Sequence, residues 1–228
     1  MSACFVTGTD TEIGKTLVSA ALLHRLADQG ARCLGMKPIA SGVESDKDGF
    51  YNEDVRALAR HSNVQADPAL LTPYLFEEAA APHILAAQLG ETLDPQRIKD
   101  NFQILRACAD HMVVEGVGGF LVPLGDNRTG AELAQALQLP VILVVGLRLG
   151  ALNHALLTAQ AIRAAGLHLL GWVANQVDGQ MSYVQANLQS LHSYLPAPCL
   201  GVIPRLGSSD PDERIRQAAQ HLRHPWTG

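Results

Sequence analysis

Gly14-Lys15-Thr16 concentrates the means to bind phosphate in three residues. The lysine carries a mobile full charge and the threonine hydroxyl can ligate a hard divalent cation. A helix beginning there would aim several backbone N–H groups at one point. The apolar run Cys4-Phe5-Val6 precedes the tripeptide, and Leu17, Ala20, Ala21, Leu23 and Ala27 recur after it at helical spacing. Strand, glycine-bearing turn and helix are the context a phosphate-binding loop for a nucleoside triphosphate and Mg²⁺ requires. The bland alternative is a capped turn. Gly8-Thr-Asp-Thr-Glu-Ile-Gly14 has five residues between its glycines, with Thr9 at the position where the common four-residue spacing has its first glycine. Glu12 is unusual there, because a carboxylate repels phosphates unless it faces a cation, the backbone or a ribose.

A cation bound by Thr16 and phosphates needs carboxylates from neighbouring segments. Glu115 closes an apparent strand, His111-Met-Val-Val-Glu115, and precedes Gly116-Val-Gly118-Gly119, whose glycines permit close approach of a ligand. Asp54 follows a polar stretch, residues 42–52, that reads as an active-site loop. Both side chains are metal-ligand candidates. The competing readings are an exposed strand-end acid for Glu115 and a helix N-terminal acid for Asp54. Lys37, at the carboxyl end of a second strand, points either into the ligand crevice of an α/β sheet or into solvent. In the crevice it would neutralise charge developing in phosphoryl or carboxyl transfer. His83 and His154 read as packed or helix-capping, His24, His61 and His192 as ordinary helix residues, and Trp172 as core.

These groups need a scaffold that brings distant strand ends together. Strands are expected at residues 4–6, 32–36, 111–115, 140–145, 169–175 and 200–203. Helices are expected at 15–29, 52–60, 83–89, 95–110, 129–137, 153–165, 182–194 and 212–222, with a loose tail from about 223. The alternation implies a mainly parallel sheet with helices on both faces, in one α/β domain of P-loop NTPase-like fold over residues 1–228. The 228 residues are 47% hydrophobic and 17% charged, a globular composition. A formal net charge of −5 with no Lys/Arg-rich block excludes the usual signature of a nucleic-acid binder. No apolar run has membrane-spanning length and no signal peptide is evident, so a cytoplasmic location is expected. The four scattered cysteines read as buried thiols of a reducing compartment.

Taken in order, several segments resemble dethiobiotin synthetases over residues 5 to about 206. They are Val6-Thr-Gly-Thr-Asp-Thr-Glu-Ile-Gly-Lys-Thr16, Lys37-Pro-Ile-Ala-Ser-Gly42, Pro82-His83, Val114-Glu-Gly-Val-Gly-Gly119, Pro140-Val-Ile-Leu-Val-Val-Gly146, Leu149-Gly-Ala-Leu-Asn-His154, Gly171-Trp-Val-Ala-Asn175 and Gly201-Val-Ile-Pro204. The lengthened loop is the form that family has. The resemblance implies ATP-dependent ring closure of 7,8-diaminopelargonate with CO₂ or bicarbonate, through a carbamate and a carbamic–phosphoric anhydride. It implies that Glu12, Ile13, Gly14, Lys15, Thr16 and Leu17 wrap the ATP phosphates and that Thr16, Asp54 and Glu115 hold Mg²⁺. Lys37 is then the catalytic lysine, with Lys15 sharing the charge. Gly116, Val117 and Gly118 lie along nucleotide and substrate, and Asn175, Gln176, Pro204, Arg205 and Leu206 form the adenine pocket. Thr11, Ser41 and Gly118 contact the diamine, while Gly150 and Asn153 reach its carboxylate across a homodimer interface. Phe120 stands where Trp is frequent and Arg148 where Lys is frequent, and the match fades after Leu206. The rival is a P-loop ATPase acting as a protein-partnered switch. Such proteins carry an early loop lysine, whereas this chain reads Thr9-Asp10-Thr11-Glu12.

Overall fold

A computed structural model of the chain describes residues 2–47 and 49–226. In chain order the first elements are β1 (Ser2–Gly8), α1 (Lys15–Asp28), β2 (Cys33–Met36), β3 (Ile39–Ser41), β4 (Glu44–Asp46), β5 (Gly49–Tyr51) and α2 (Glu53–His61). Next come α3 (Pro68–Leu71), β6 (Tyr74–Phe76), α4 (Pro82–Gln88), α5 (Pro95–Leu105), β7 (His111–Gly119), β8 (Pro123–Gly125), β9 (Arg128–Thr129) and α6 (Gly130–Leu137). The chain continues through β10 (Val141–Gly146), α7 (Ala151–Ala164), β11 (Leu169–Asn175), α8 (Val184–Tyr194), β12 (Cys199–Ile203) and α9 (Pro211–Gln220).

Six strands form one sheet in the order β12-β11-β10-β1-β7-β2, and every pairing in it is parallel. Such a sheet is buried on both faces, which explains why its central strands read as continuous apolar runs. Successive residues still part to opposite sides. Val6, Ile142 and Val144 pack with α1, Leu58 of α2 and Ile215 of α9, whereas Phe5, Leu143 and Val145 belong to the core shared with α5, α6, α7 and α8. Strand β1 lies inside the sheet, so the loop leaving it opens between the carboxyl ends of β7 and β10, where α/β sheets hold ligands.

Three expectations are corrected. Residues 42–52 contain an antiparallel hairpin, β4–β5, pinned by Tyr51 Oη to Glu44 (3.1 Å) and by Arg56 to Asp46 (2.7 Å); Asp48 lies outside the described residues. Helix α5 stops at Leu105 and not at 110, because Arg32 recruits the following backbone: its carbonyl accepts from Asp110 N at 2.7 Å and its guanidinium donates to the Cys108 carbonyl. The tail is docked as far as Trp226, whose ring lies 4.9 Å from that of His111, while Arg223 N donates to the Leu200 carbonyl at 2.7 Å. The rest of that tail, residues 227–228, lies outside the described residues. Trp172 is core, fully buried, with Nε1 donating to the Ala197 carbonyl at 3.1 Å. The four cysteines are free, and among the described residues no helix is long and apolar enough to cross a membrane.

Gly35 sets how closely the helices meet the sheet on the α1 side. A Cβ at this β2 position would lie 2.8 Å from Leu23 Cδ1 of α1 and 2.9 Å from Leu58 Cβ of α2. Gly35→Ala should therefore cost about 1–3 kcal/mol by overpacking. Chemical denaturation would check this, and an unchanged midpoint would refute the tight packing inferred here.

Candidate active site

Lys37 follows β2 and is 3% exposed, yet its ammonium is fully engaged. Nζ lies 2.6 Å from Glu115 Oε1, 2.6 Å from Asp54 Oδ2 and 3.3 Å from the Gly116 carbonyl. Burial alone would lower the lysine pKa, but the two carboxylates outweigh it and hold the group above its ordinary value. Burial likewise opposes charge on Asp54, while Lys37, then Thr16 and Lys15, bring its pKa below the usual carboxylate value. Glu115 is completely buried. This corrects the expectation that it closes a strand. Strand β7 runs on to Gly119, which pairs with Gly8 after an irregularity in register, so Glu115 sits inside β7 with its side chain under the loop.

Thr16 Oγ1 lies 2.6 Å from Asp54 Oδ1 and 2.8 Å from Glu115 Oε1. One hydroxyl proton cannot serve both contacts, and the Lys37 ammonium supplies the positive charge beside these oxygens. Glu115 Oε2 is buried without a hydrogen-bond partner among the described residues. Hard oxygens converging in this way fit Mg²⁺. Among the described residues no three His, Cys, Asp or Glu side chains group to hold a metal.

Asp54 is placed by a residue that went unnoticed in the sequence. Asn52 caps α2, accepting from Val55 N at 3.2 Å, and its amide donates to the carbonyls of Ser41 (3.1 Å) and Gly42 (2.7 Å). The bonds fasten the end of β3 to the start of α2. The signal was an asparagine immediately before an acidic helical turn.

The loop between β1 and α1 leaves the helix start open. No side chain caps α1, whose N-cap is Gly14 at φ 90°, so its first N–H groups remain available to an anion. Any Cβ at Gly14 would collide with Asn175 Nδ2. Asn175 donates to the Ile13 carbonyl at 2.9 Å and so braces the loop from β11. Glu12 adopts φ 57°, a conformation uncommon outside glycine. Lys15 is buried with Nζ 3.1 Å from the Asp10 carbonyl. Burial first, and then Lys37, depress its pKa. Asp10 also pairs with Arg148 from the segment after β10, a contact that spacing in sequence does not reveal.

Two cavities flank this start. One, of about 390 Å³, is lined by Thr16, Asp54, Tyr51 and Arg60 among others. The other, of about 380 Å³, brings together Glu12, Asn175, Gln176, Pro204, Arg205 and Leu206. Thr11 Oγ1 stands near Gly118, 3.8 Å from where a Cβ would project. Val117 packs on the core. Gly150 caps α7 at φ 93° and Asn153 is exposed on that helix.

A family model described as an AAA domain matches residues 2–213. The ATP-dependent dethiobiotin synthetase of Janthinobacterium sp. is 51% identical over 212 residues, covering 91% of this chain and 90% of that protein. Its namesake from Aromatoleum aromaticum is 50% identical over 225 residues, covering 98% and 97%. The solved structure of the Pyrococcus furiosus cell division ATPase MinD superposes with a TM-score of 0.57 at 16% identity, covering 96% of this chain and 97% of that one. A ParA family ATPase from Chlorobium tepidum gives 0.55 at 13% identity, covering 96% and 90%. At those identities the likeness extends to the fold alone. With half of its residues identical over nearly its whole length to proteins of that name, the chain belongs to the family of ATP-dependent dethiobiotin synthetases.

Proposed function

We propose that this chain closes the ureido ring of dethiobiotin from 7,8-diaminopelargonate, CO₂ and ATP, releasing ADP and phosphate. The observation that carries this reading is the buried ammonium of Lys37, held between Glu115 and Asp54 beside an uncapped helix N-terminus. The reaction needs no side-chain nucleophile. One substrate amine attacks CO₂ and loses a proton, giving a carbamate. A carbamate oxygen displaces ADP from the γ-phosphorus, and the second amine attacks the resulting anhydride carbon, closes the urea and expels phosphate. Each stage concentrates negative charge, so fixed cations and aligned N–H donors are the useful catalysts.

The N–H groups opening α1 and Lys15 bind the β- and γ-phosphates. Thr16, Asp54 and Glu115 hold Mg²⁺, which when bound neutralises phosphate charge. Lys37, already beside that oxygen cluster, faces the carbamate with its proton retained. Thr11, Ser41 and Gly118 position the diamine. Asn175, Gln176, Pro204, Arg205 and Leu206 receive the adenine. A homodimer supplies Gly150 and Asn153 to the neighbouring site. In support, Leu149 beside them is 96% exposed and Leu157, further along α7, 56%.

ADP release with Mg²⁺ should require both the diamine and bicarbonate; turnover indifferent to the diamine would sink this reading. Lys37→Ala should lose turnover by more than about a hundredfold, the scale of one preorganised charge contact, and still bind ADP in a fluorescence titration. Wild-type turnover in that variant would remove Lys37 from its role. Sedimentation at micromolar concentration should show a dimer, and Leu149→Asp should shift it to monomer with loss of turnover. A fully active monomer would contradict the shared site.

A further inference from the structure

The two cavities beside the phosphate loop have two lining residues in common, Leu17 and Arg214. Leu17 directly follows Thr16 on α1. Arg214 stands on the first turns of α9, the helix packed along α1.

Its charge is left over after its neighbours have paired. Asp212 meets Arg60 at 3.2 Å and His61 at 3.6 Å, and Glu213 and Asp210 meet Arg216 at 2.9 and 3.8 Å. Arg56 is bound to Asp46 across the hairpin. Three carboxylates thus lie within four residues of Arg214, and each is engaged by another cation. Among the described residues the Arg214 guanidinium has no hydrogen bond or ion pair, and it borders both clefts. A planar cation with five donors in such a place suits a phosphate or a ribose, and its face suits a base.

We infer that Arg214 is a binding residue for the nucleoside end of the nucleotide, gripping its ribose beside Leu17. This rests on the nucleotide reading above and adds a contact which that reading did not contain. The β- and γ-phosphates have Lys15, Thr16 and the helix amides. Beyond them, Leu17 and Arg214 line both cavities, so a nucleoside in either one meets them.

The test is a calorimetric titration of wild type, Arg214→Ala and Arg214→Lys with Mg²⁺ and, separately, ADP, ATP and inorganic tripolyphosphate. Arg214→Ala should weaken ADP and ATP by the same factor, about tenfold for a charge-assisted contact, and leave tripolyphosphate within about twofold. Arg214→Lys should recover part of the loss, and in steady state the change should fall on the KM for ATP more than on kcat. Unchanged ADP affinity in Arg214→Ala would overturn the inference, as would an equal loss for tripolyphosphate, which would make Arg214 a diffuse attractor of anions. Failure of the wild-type protein to bind ADP at all would instead overturn the nucleotide site on which it rests.

Discussion

An ammonium group shut away from water must be matched by negative charge, and Lys37 imposes that condition on the whole carboxyl edge of the sheet. Its two partners come from residues 54 and 115, and both touch the hydroxyl of residue 16. Lys37 lies just beyond β2 and Glu115 on its neighbour β7, so the strand order brings these two together, while Thr16 joins them from the start of α1, after the loop that leaves the adjacent β1. Asp54 arrives on α2, fixed by Asn52. Removing one member of such a buried pair typically costs about 3–5 kcal/mol, because the remaining charge stays buried without compensation. The fold and the site are therefore coupled: Gly35 keeps α2 close, α2 carries Asp54, and Asp54 shares the charge of Lys37.

The same cluster is suited to exchange one cation for another. Oxygens that hold the Lys37 ammonium are hard ligands for a divalent ion, and the unpartnered Glu115 Oε2 lies among them. In the proposed reaction the lysine has a second anion to attend to, the carbamate. The loop adds its own positive field. Gly14 leaves the start of α1 uncapped, Asn175 holds that start in place, and the depressed pKa of Lys15 reflects its burial near a second lysine.

Much of this was legible in the residues. Apolar runs marked the parallel strands, and Gly14-Lys15-Thr16 after such a run marked the loop. What escaped was what depends on distant partners. The glycines after Glu115 read as the end of a strand, but in three dimensions Gly119 pairs with Gly8 and places the carboxylate inside β7. The short pairing of β3 with β6 joins segments with no local periodicity to betray them. The hairpin at residues 44–51 was hidden in polar composition, because it is held by Arg56 and Tyr51 and not by an apolar face. Asp10 meets Arg148, 138 residues along the chain. Asp54 could be read from the residues as a metal ligand or as a helix-start acid; in the structure its carboxylate meets both Lys37 and Thr16.

The central claim is that ATP phosphorylates a carbamate at this cluster. Its most direct test follows oxygen. C¹⁸O₂ is supplied to the enzyme with 7,8-diaminopelargonate, ATP and Mg²⁺ in ordinary water, and the mixture is quenched before CO₂ exchanges its label. Mass spectrometry of the released phosphate should find one ¹⁸O atom per phosphate formed, carried over from the carbamate when the ring closes. Unlabelled phosphate released in step with dethiobiotin would mean that water, and not a carbamate oxygen, attacks the γ-phosphorus, and would contradict the mechanism.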